Sequence, residues 1–441
     1  MAEQLPVVAV GAGPASLAFA VALEELAPDE LSTRTLMVER HQEVAWQRGM
    51  LMPWTESQVS FLKDLVTLRN PRSKFSFVNY LHSTGRLDDF INLGTLTPYR
   101  LEISRYLQWV AGALEKVRIE YERPVAAVEP APAEADGTVT GWLVQFASGD
   151  VVRCNDIVLG VGRDPNIPAA FVHLPRERLI HSVNFVQRVA DLDRAVAERF
   201  VVIGGAQSAA EMMWGIYQSF PAATCTLITR STGLYTYESS KFVNERYLPS
   251  FVDEFFAAQP EVRAQVLREM RRTNYAGLTP SMVDGLFRQI YLDRLAGTER
   301  LKIVHLTDVV GCEMVGDEVV FTLFDRLREL TYQVRCDRVL LGTGFRNETP
   351  ALIRHLADKL GVDRIEVDRN YRMILPDHVA AGCYLQGVNE GTHGIADTLM
   401  SILGVRAGEV VKDMLARRSA AAPAAGREPA WAGSAAPVVN D

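Results

Sequence analysis

The feature that most constrains the fold is a strand, a glycine-rich turn and a helix, which occur together twice in the chain. In the first copy, the apolar run 6–10 leads into Gly11, Gly13 and Pro14, followed by a periodic helix over 17–26 and a strand ending on Glu39. An unbroken apolar run is typical of a buried parallel strand, and such a turn lets a helix N-terminus approach a pyrophosphate. This pattern predicts a dinucleotide-binding βαβ unit in which Glu39 accepts from a ribose hydroxyl; a tight turn without a ligand is the alternative.

The second copy lies in the run RFVVIGGAQSAAEMMWGIY, where a β-branched strand meets Gly204 and Gly205 before a helix. The strand after that helix ends in Arg230 instead of an acid. An arginine at this place can pair with a 2′-phosphate, which favours NADPH over NADH; a solvated surface arginine is the alternative. An acid in the first unit and a base in the second predict that one chain binds FAD and NADPH.

Composition narrows the class of protein. The chain has 441 residues, enough for two or three domains, and its formal net charge of −8 argues against nucleic-acid binding. Its five cysteines are scattered without a CxxC pair, which indicates a reduced cytoplasmic protein and not a disulfide framework or a zinc site. The N-terminus lacks a basic segment and no apolar run reaches about 18 residues, so we expect neither a signal peptide nor a membrane span.

The order of these segments predicts an α/β fold with two Rossmann-like dinucleotide-binding domains and a smaller, mostly helical substrate region. We expect a first part of the FAD-binding domain over 1–195 and an NADPH-binding domain over 196–330. The second domain would contain a helical substrate-binding insertion at about 235–295. Residues 331–415 would return to the FAD-binding domain, with VLLG at 339–342 bringing the chain back to the first sheet, and 416–441 would form a disordered tail.

The stretch 58–109 carries polar side chains inside apolar runs. Phe61, Leu62, Leu65 and Leu68 recur at helical spacing, which predicts a short amphipathic helix. Lys63 lies inside this run. It either extends to water along its aliphatic stem or reaches an anionic group in a pocket.

Several motifs together suggest a family. They are QVSFLKDLVTLRNP, FSFVNYLH, FINLGT, GGAQSAAE, FVNE, the TNY at 273–275, GTGF and THGIADTLMS. In this order and spacing, the chain resembles the flavin-dependent N-hydroxylating monooxygenases of siderophore biosynthesis, the L-ornithine N5-monooxygenase and L-lysine N6-hydroxylase family, over about 7–411. FLKDL, FVNE and TNY look closer to the ornithine enzymes.

The resemblance implies roles for individual residues. Lys63 would contact the substrate carboxylate, and Asn244 and Asn274 would hold the α-amino and carboxylate end, although a helix cap or a turn is the alternative for each asparagine. Gln58 would lie beside flavin and nicotinamide. No catalytic acid, base or metal ligand is assigned. The FAD-binding residues would be Gly11, Gly13, Pro14, Glu39, Trp46, Gln58 and Ile395, and the NADPH-binding residues Gly204, Gln207, Ser208 and Arg230.

The resemblance also implies the reaction, which is O2-dependent N-hydroxylation of L-ornithine to N5-hydroxyornithine through a C4a-hydroperoxyflavin. It further implies a cytoplasmic homo-oligomer, often a tetramer, whose partners are a primary amine and O2. Departures from the family pattern occur at Gln47, Glu238, Lys241 and Ala396, around the expected substrate pocket. L-lysine, a diamine or another primary amine therefore stay open as substrates. A disulfide reductase, which the missing CxxC opposes, and a non-catalytic flavoprotein sensor are the rival functions.

Overall fold

A computed structural model describes residues 4–238 and 240–421. The strands are β1 (Gln4–Val10), β2 (Thr35–Val38), β3 (Arg118–Glu120), β4 (Val125–Pro130), β5 (Trp142–Phe146), β6 (Val151–Leu159), β7 (Leu179–His181), β8 (Arg199–Ile203), β9 (Thr224–Ile228), β10 (Tyr235–Thr236), β11 (Gly277–Leu278), β12 (Leu301–Val304), β13 (Thr307–Val315), β14 (Glu318–Asp325), β15 (Leu330–Cys336), β16 (Arg338–Leu341) and β17 (Gly382–Leu385).

Helices connect these strands. The α-helices are α1 (Pro14–Leu26), α2 (Asp29–Thr33), α3 (Phe77–Ser83), α4 (Leu87–Leu93), α5 (Arg100–Ala113), α6 (Phe185–Ala190), α7 (Gln207–Ser219), α8 (Lys241–Asn244), α9 (Phe251–Ala257), α10 (Pro260–Tyr275), α11 (Pro280–Leu295), α12 (Ala351–Lys359), α13 (Glu390–His393) and α14 (Leu403–Ala421). Short 3-10 helices lie at Arg48–Met50, Phe61–Lys63, Ala169–Phe171, Ser182–Asn184, Glu245–Tyr247, Ile395–Thr398 and Met400–Ile402.

The first sheet has seven strands, in the order β3-β2-β1-β6-β5-β4, with β17 also paired to β6. β1, β2, β3, β6 and β17 are parallel, whereas β4 and β5 form an antiparallel extension. Helix α1 is buried on nearly all sides between this sheet and α14, as expected for its run of small and apolar residues. The predicted unit of strand, turn, helix and strand is therefore present at the start of the chain.

The second sheet has five parallel strands in the order β12-β9-β8-β16-β7. One face packs against α7 and α11, and the other packs against the antiparallel sheet β13-β14-β15. Two sheets with parallel strands and an attached helical segment confirm the predicted α/β class with two Rossmann-like domains.

The predicted return of VLLG to the first sheet is wrong. β16 pairs with β7 and β8, so this strand belongs to the second sheet. An apolar run does not specify its neighbour, because pairing is decided by distant segments. Since β7 also lies in the second sheet, we propose that the two units divide near 165 and 345 in place of the predicted 195 and 330.

The predicted amphipathic helix over 61–68 is also wrong. Only Phe61–Lys63 are helical, and Asp64 then has extended backbone, with ψ −168°. The Asp64 carboxylate accepts hydrogen bonds from the backbone N–H groups of Val66 and Thr67, at 2.9 and 2.6 Å, and of Phe77 at 2.7 Å. A side chain that satisfies nearby backbone donors competes with helix formation, so Asp64 ends the helix.

The predicted helical insertion at about 235–295 is present as α8 to α11, with the short strand β10 at its start and its partner β11 between α10 and α11. Helix α14 reaches Ala421, so the predicted disordered tail is wrong for 416–421. The rest of that tail lies outside the described residues. Within residues 4–238 and 240–421, no helix combines the length and apolar composition that crossing a bilayer requires.

Candidate functional site

The first glycine-rich turn leaves open space in front of α1. Gly13 is the N-cap of this helix and no side chain caps it. A Cβ on Gly13 would meet nothing within 4 Å, whereas one on Gly11, at φ +90°, would meet the Gly160 carbonyl oxygen at 2.5 Å. Uncapped N–H groups at a helix start, facing open space, form an anion site. The turn therefore fits a pyrophosphate, as predicted for FAD.

Glu39 and Pro14 lie at the same turn. Pro14 is the first residue of α1, where its missing N–H costs no hydrogen bond. The Ala12 N–H donates to the Glu39 carboxylate at 2.9 Å, so Glu39 reaches the turn from the end of β2. Ser16 is fully buried against Gly160, and its hydroxyl has no hydrogen-bond partner among the described residues.

The second turn repeats this construction. Helix α7 begins at Gln207 with no capping side chain, and Ser208 lies in its first turn. Gly204 has φ +147°, and a Cβ there would meet the Gly342 carbonyl oxygen at 2.5 Å, which explains the glycine. Its N–H donates to the Ile228 carbonyl at 3.1 Å and so ties the turn to the end of β9. The geometry fits a second pyrophosphate.

Arg230 follows β9 by two residues and is exposed. Across the described part of the chain, no carboxylate pairs with its guanidinium, which leaves that group available for a phosphate. Arg230 therefore lies just beyond β9, the strand that follows the second turn and α7, as the sequence predicts.

Gln58 and Gln207 meet between the two units. The Gln58 amide nitrogen lies 3.4 Å from the Gln207 amide oxygen and 3.4 Å from the Gly277 carbonyl oxygen. The Gln207 oxygen also accepts from the Thr279 N–H at 2.8 Å. The structure thus brings together a residue predicted beside the flavin and one predicted at the nicotinamide cofactor.

Lys63 ends the 3-10 helix Phe61–Lys63 and is half-buried. Burial lowers the pKa of its ammonium, and no acid offsets that effect. Among the residues described by the structure, none forms an ion pair with Lys63. A partly desolvated cation without a counter-ion needs an anionic partner, which the chain itself does not supply.

Asn244 and Asn274 lie in the helical insertion. Asn274 is near the end of α10, and its amide nitrogen is buried with no hydrogen-bond partner among the side chains and backbone that the structure describes. Asn244 ends α8 and precedes the 3-10 helix Glu245–Tyr247. This 3-10 helix and α10 both pack against Ile395–Thr398, while the 3-10 helix carrying Lys63 packs against Met400–Ile402. The three residues therefore lie on elements around two consecutive turns.

The two turns Ile395–Thr398 and Met400–Ile402 form one wall of the candidate site, which a buried ion pair holds in place. Asp397 and Arg406 are fully buried and paired at 2.9 Å, and Asp397 also accepts from the Asn389 N–H at 2.7 Å. Ile395 is buried, and Ala396 packs with Val252 and Ile402 in a small apolar cluster. Ala396, which departs from the family pattern, therefore makes apolar contacts with the helical insertion.

The other predicted or departing positions lie around this wall and the first core. Trp46 is half-buried, packs against the first core and donates its backbone N–H to the Ser104 hydroxyl at 3.3 Å. Gln47 adopts a left-handed conformation with φ 52°. Lys241 is exposed at the start of α8, and Glu238 accepts from the Ser240 N–H at 2.6 Å.

Sequence reasoning missed Arg100 and Glu211. Glu211 lies in the GGAQSAAE motif, yet its partner is 111 residues away, and only the fold shows the pair. Gln386 was also missed; it is buried directly after β17, and its amide nitrogen has no hydrogen-bond partner within the described part of the chain. In residues 4–238 and 240–421, no three His, Cys, Asp or Glu side chains are grouped to hold a metal ion.

Comparison with known proteins adds independent findings. A family model described as L-lysine 6-monooxygenase/L-ornithine 5-monooxygenase matches residues 3–347. The chain is 37% identical to an L-ornithine N(5)-oxygenase from Arthrobotrys oligospora, over 92% of this chain and 87% of that protein.

Solved structures agree. An ornithine hydroxylase from Pseudomonas aeruginosa superposes with a TM-score of 0.88 at 32% identity, over 94% of this chain and 100% of the other. An ornithine N-hydroxylase from Kutzneria sp. 744, described with reduced FAD, NADP+ and L-ornithine, also gives a TM-score of 0.88, at 34% identity and the same coverage.

Proposed function

The chain belongs to the L-lysine 6-monooxygenase/L-ornithine 5-monooxygenase family, and we propose that it hydroxylates the side-chain nitrogen of L-ornithine, using FAD, NADPH and O2. As a member of this family, it is a flavin-dependent oxidoreductase. Its two uncapped, glycine-lined helix starts fit FAD at the first turn and NADPH at the second.

The substrate assignment rests on two hydrogen-bond donors that have no acceptor among the described residues. Within the part of the chain that the structure describes, the half-buried Lys63 ammonium forms no ion pair and the buried Asn274 amide nitrogen has no hydrogen-bond partner. A carboxylate accepts hydrogen bonds only, so the carboxylate of an amino acid would satisfy both donors. A diamine, which lacks this group, would leave them unsatisfied. This reasoning assigns the amino-acid end of L-ornithine to Lys63 and Asn274, with Asn244 beside them.

The reacting nitrogen has to be uncharged. A primary side-chain amine has a pKa of about 10.4 in water, so its lone pair carries a proton near pH 7. Burial lowers the pKa of the Lys63 ammonium, and we expect burial of the substrate amine to lower its pKa in the same direction. Part of the chain's task is therefore to exclude water and hold the amine in its neutral form.

FAD, when bound and reduced by NADPH, supplies the activated oxygen. The contribution of the chain is to position the participants, since no nucleophile with an adjacent base is assigned. Gln58 and Gln207 lie between the two turns and donate or accept hydrogen bonds at their junction. We assign them to orienting the nicotinamide with respect to the flavin.

Assembly and location extend the proposal. Helix α11 presents an exposed apolar ridge of Phe287, Tyr291 and Leu295, exposed by 70%, 55% and 68%. These residues are spaced four apart and line one side of the helix, which favours a homo-oligomer that covers them. All five cysteines are buried and free, which favours the reducing cytoplasm.

An amine panel tests the substrate. Purified protein is incubated with FAD, NADPH and air, together with L-ornithine, L-lysine, putrescine or cadaverine, and the products are identified by mass spectrometry. We expect the hydroxylamine of L-ornithine to form with the highest kcat/KM. Preferential conversion of either diamine would contradict the carboxylate assignment, and preference for L-lysine would contradict the assigned chain length.

A further inference from the structure

A buried ion pair joins the two dinucleotide-binding units. Arg100 lies on α5, which packs in the core of the first unit, and Glu211 lies on α7, which packs in the core of the second. The guanidinium contacts the carboxylate with two hydrogen bonds, at 2.9 and 2.8 Å. Their side chains are 6% and 1% exposed, so the pair is almost completely removed from water.

The remaining hydrogen bonds of the pair lead toward the candidate site. Arg100 also donates to the carbonyl oxygens of Met50 and Glu56, at 3.1 and 3.3 Å. Glu211 accepts from the Gln207 amide nitrogen at 2.9 Å. Because a carboxylate accepts only, this contact decides which end of the Gln207 amide points to Glu211.

The orientation of Gln207 then decides what Gln58 contacts. With its nitrogen directed at Glu211, Gln207 presents its oxygen to the Thr279 N–H at 2.8 Å and to the Gln58 nitrogen at 3.4 Å. A continuous chain of contacts thus runs from Arg100 through Glu211 and Gln207 to Gln58. The Thr279 N–H, which only donates, and the Glu211 carboxylate, which only accepts, favour the same orientation of the Gln207 amide, so loss of the charge on Glu211 removes one of its two constraints.

We propose that Arg100 and Glu211 are positioning residues for hydride transfer. They hold the two units in one register and, through Gln207, orient Gln58 at the junction of the two cofactors. The inference rests on the proposed function, because it assumes that a nicotinamide delivers hydride to a flavin at this junction.

Stability alone is a poor reason for such a pair. Moving two charges out of water costs much of what their attraction returns, and apolar side chains of similar size often stabilise a protein as well or better. Apolar side chains, however, make no directional hydrogen bonds. The bidentate geometry fixes α7 relative to α5, and the carboxylate holds the nitrogen end of the Gln207 amide while the Thr279 N–H holds its oxygen end.

The central variant is Glu211→Gln, which keeps the size of the side chain and removes its charge. We expect anaerobic reduction of the bound flavin by NADPH to slow at least tenfold, with a larger isotope effect from NADPH deuterated at the transferred position. FAD content and reduction by dithionite should stay unchanged. Reduction by NADPH at the unmodified rate would overturn the proposal.

A second variant separates positioning from stabilisation. Arg100→Met with Glu211→Met removes both charges and keeps an apolar contact between the helices, so the fold should persist even if Glu211→Gln does not fold. We expect flavin reduction by NADPH to stay slow in this double variant. Recovery of the unmodified rate would show that the pair only joins the helices, which would overturn the positioning role.

A double-mutant cycle tests the route through Gln207. Gln207→Leu and Glu211→Gln should each slow flavin reduction, and the combined variant should be no slower than the slower single one. Effects that multiply would overturn the route. The control is Glu198→Gln, which breaks the contacts of Glu198 with Arg338 at 2.7 and 2.9 Å within the second unit and should leave the reduction rate unchanged.

These outcomes differ from failure of the proposed function. If NADPH does not reduce the flavin of the unmodified protein, the function and this inference both fall. If the unmodified protein is reduced and forms hydroxylated ornithine while Glu211→Gln behaves identically, only the positioning role falls.

Discussion

Lys63 and Asn274 each carry a nitrogen donor that has lost water and gained no partner from the described chain. For the cofactors, Gly13 borders open space before the start of a helix. The exposed Arg230 guanidinium pairs with no acid of the described residues. Each of these four residues is assigned to a ligand because its donor group is unpaired or the space beside it is unfilled. Each assignment can therefore be tested by a single substitution.

Replacing Lys63 by methionine should weaken the use of L-ornithine. The side chain keeps its apolar stem and loses a charge-assisted hydrogen bond worth about 1.5–3 kcal/mol, so KM should rise by roughly 10- to 100-fold. Steady-state kinetics should also show a smaller preference for L-ornithine over putrescine, which makes no carboxylate contact. Flavin reduction by NADPH should survive. An unchanged KM for L-ornithine would refute the role of Lys63.

Gly13→Val should abolish FAD binding. The added branch would occupy the open space before α1 that the pyrophosphate needs. The measurement is the flavin absorbance of the purified protein, compared with Gly112→Val on α5. A Cβ on Gly112 also meets nothing within 4 Å, so that control should remain yellow. A fully flavin-loaded Gly13→Val protein would show that FAD does not bind at this turn.

Arg230→Ala should raise KM for NADPH and leave KM for NADH nearly unchanged. The lost contact is a charge-assisted hydrogen bond to the 2′-phosphate, worth about 1.5–3 kcal/mol, and NADH has no such group. Arg328→Ala, in the exposed turn after β14, is the matched control and should change neither value. Equal use of NADPH and NADH by the unmodified protein would remove the basis for this role.

At the scale of elements, the sequence predicts those segments whose structure is decided locally. The run from β1 to β2 follows from its apolar strands and its glycines. The segment 61–68 does not, because Asp64 uses its carboxylate to hold the start of α3, thirteen residues later. β16 has the same apolar character as β6, so composition does not reveal that it pairs in the other sheet.

The turn at α13 predicts a dependence of stability on pH. His393 is fully buried and its Nε2 lies 3.1 Å from the Arg369 carbonyl, which can only accept, so neutral His393 donates from Nε2. Burial is the largest cause that lowers its pKa to about 4; the hydrogen bond to the Arg369 carbonyl and the Asp397 carboxylate oppose this shift, and the charges of Arg369 and Arg406 add to it. Protonation therefore favours the unfolded chain.

The sign follows from the two pKa values. The unfolded chain binds this proton below about pH 6.5 and the folded chain only below about 4, so stability falls as pH drops between them, by about 3 kcal/mol in total. Urea unfolding at pH 7.5, 6 and 5 measures this loss. His393→Gln should reduce it, whereas His82→Gln, at an exposed site on α3, should not. An identical loss in His393→Gln would refute the assignment.

At the scale of the whole molecule, the site lies where two units and a helical insertion meet. Its cofactor turns could be predicted from the sequence, because each turn is contiguous. Lys63, Asn244 and Asn274 are spread over more than 200 residues; the apolar run drew attention to Lys63, but only resemblance to a family implied that the three residues act together. Neither the contiguous motifs nor the family resemblance indicated Arg100 and Glu211, because their ion pair forms only when the two units are packed together.

The most direct test of the central claim follows oxygen into the product. Purified protein is supplied with L-ornithine, NADPH and isotopically heavy dioxygen, and the product is examined by mass spectrometry. The account predicts one heavy oxygen atom on the side-chain nitrogen, one NADPH consumed for each hydroxylated molecule, and no label when heavy oxygen is supplied as water. Oxidation of NADPH to NADP+ with reduction of O2 to hydrogen peroxide, and with L-ornithine recovered unchanged, would contradict it.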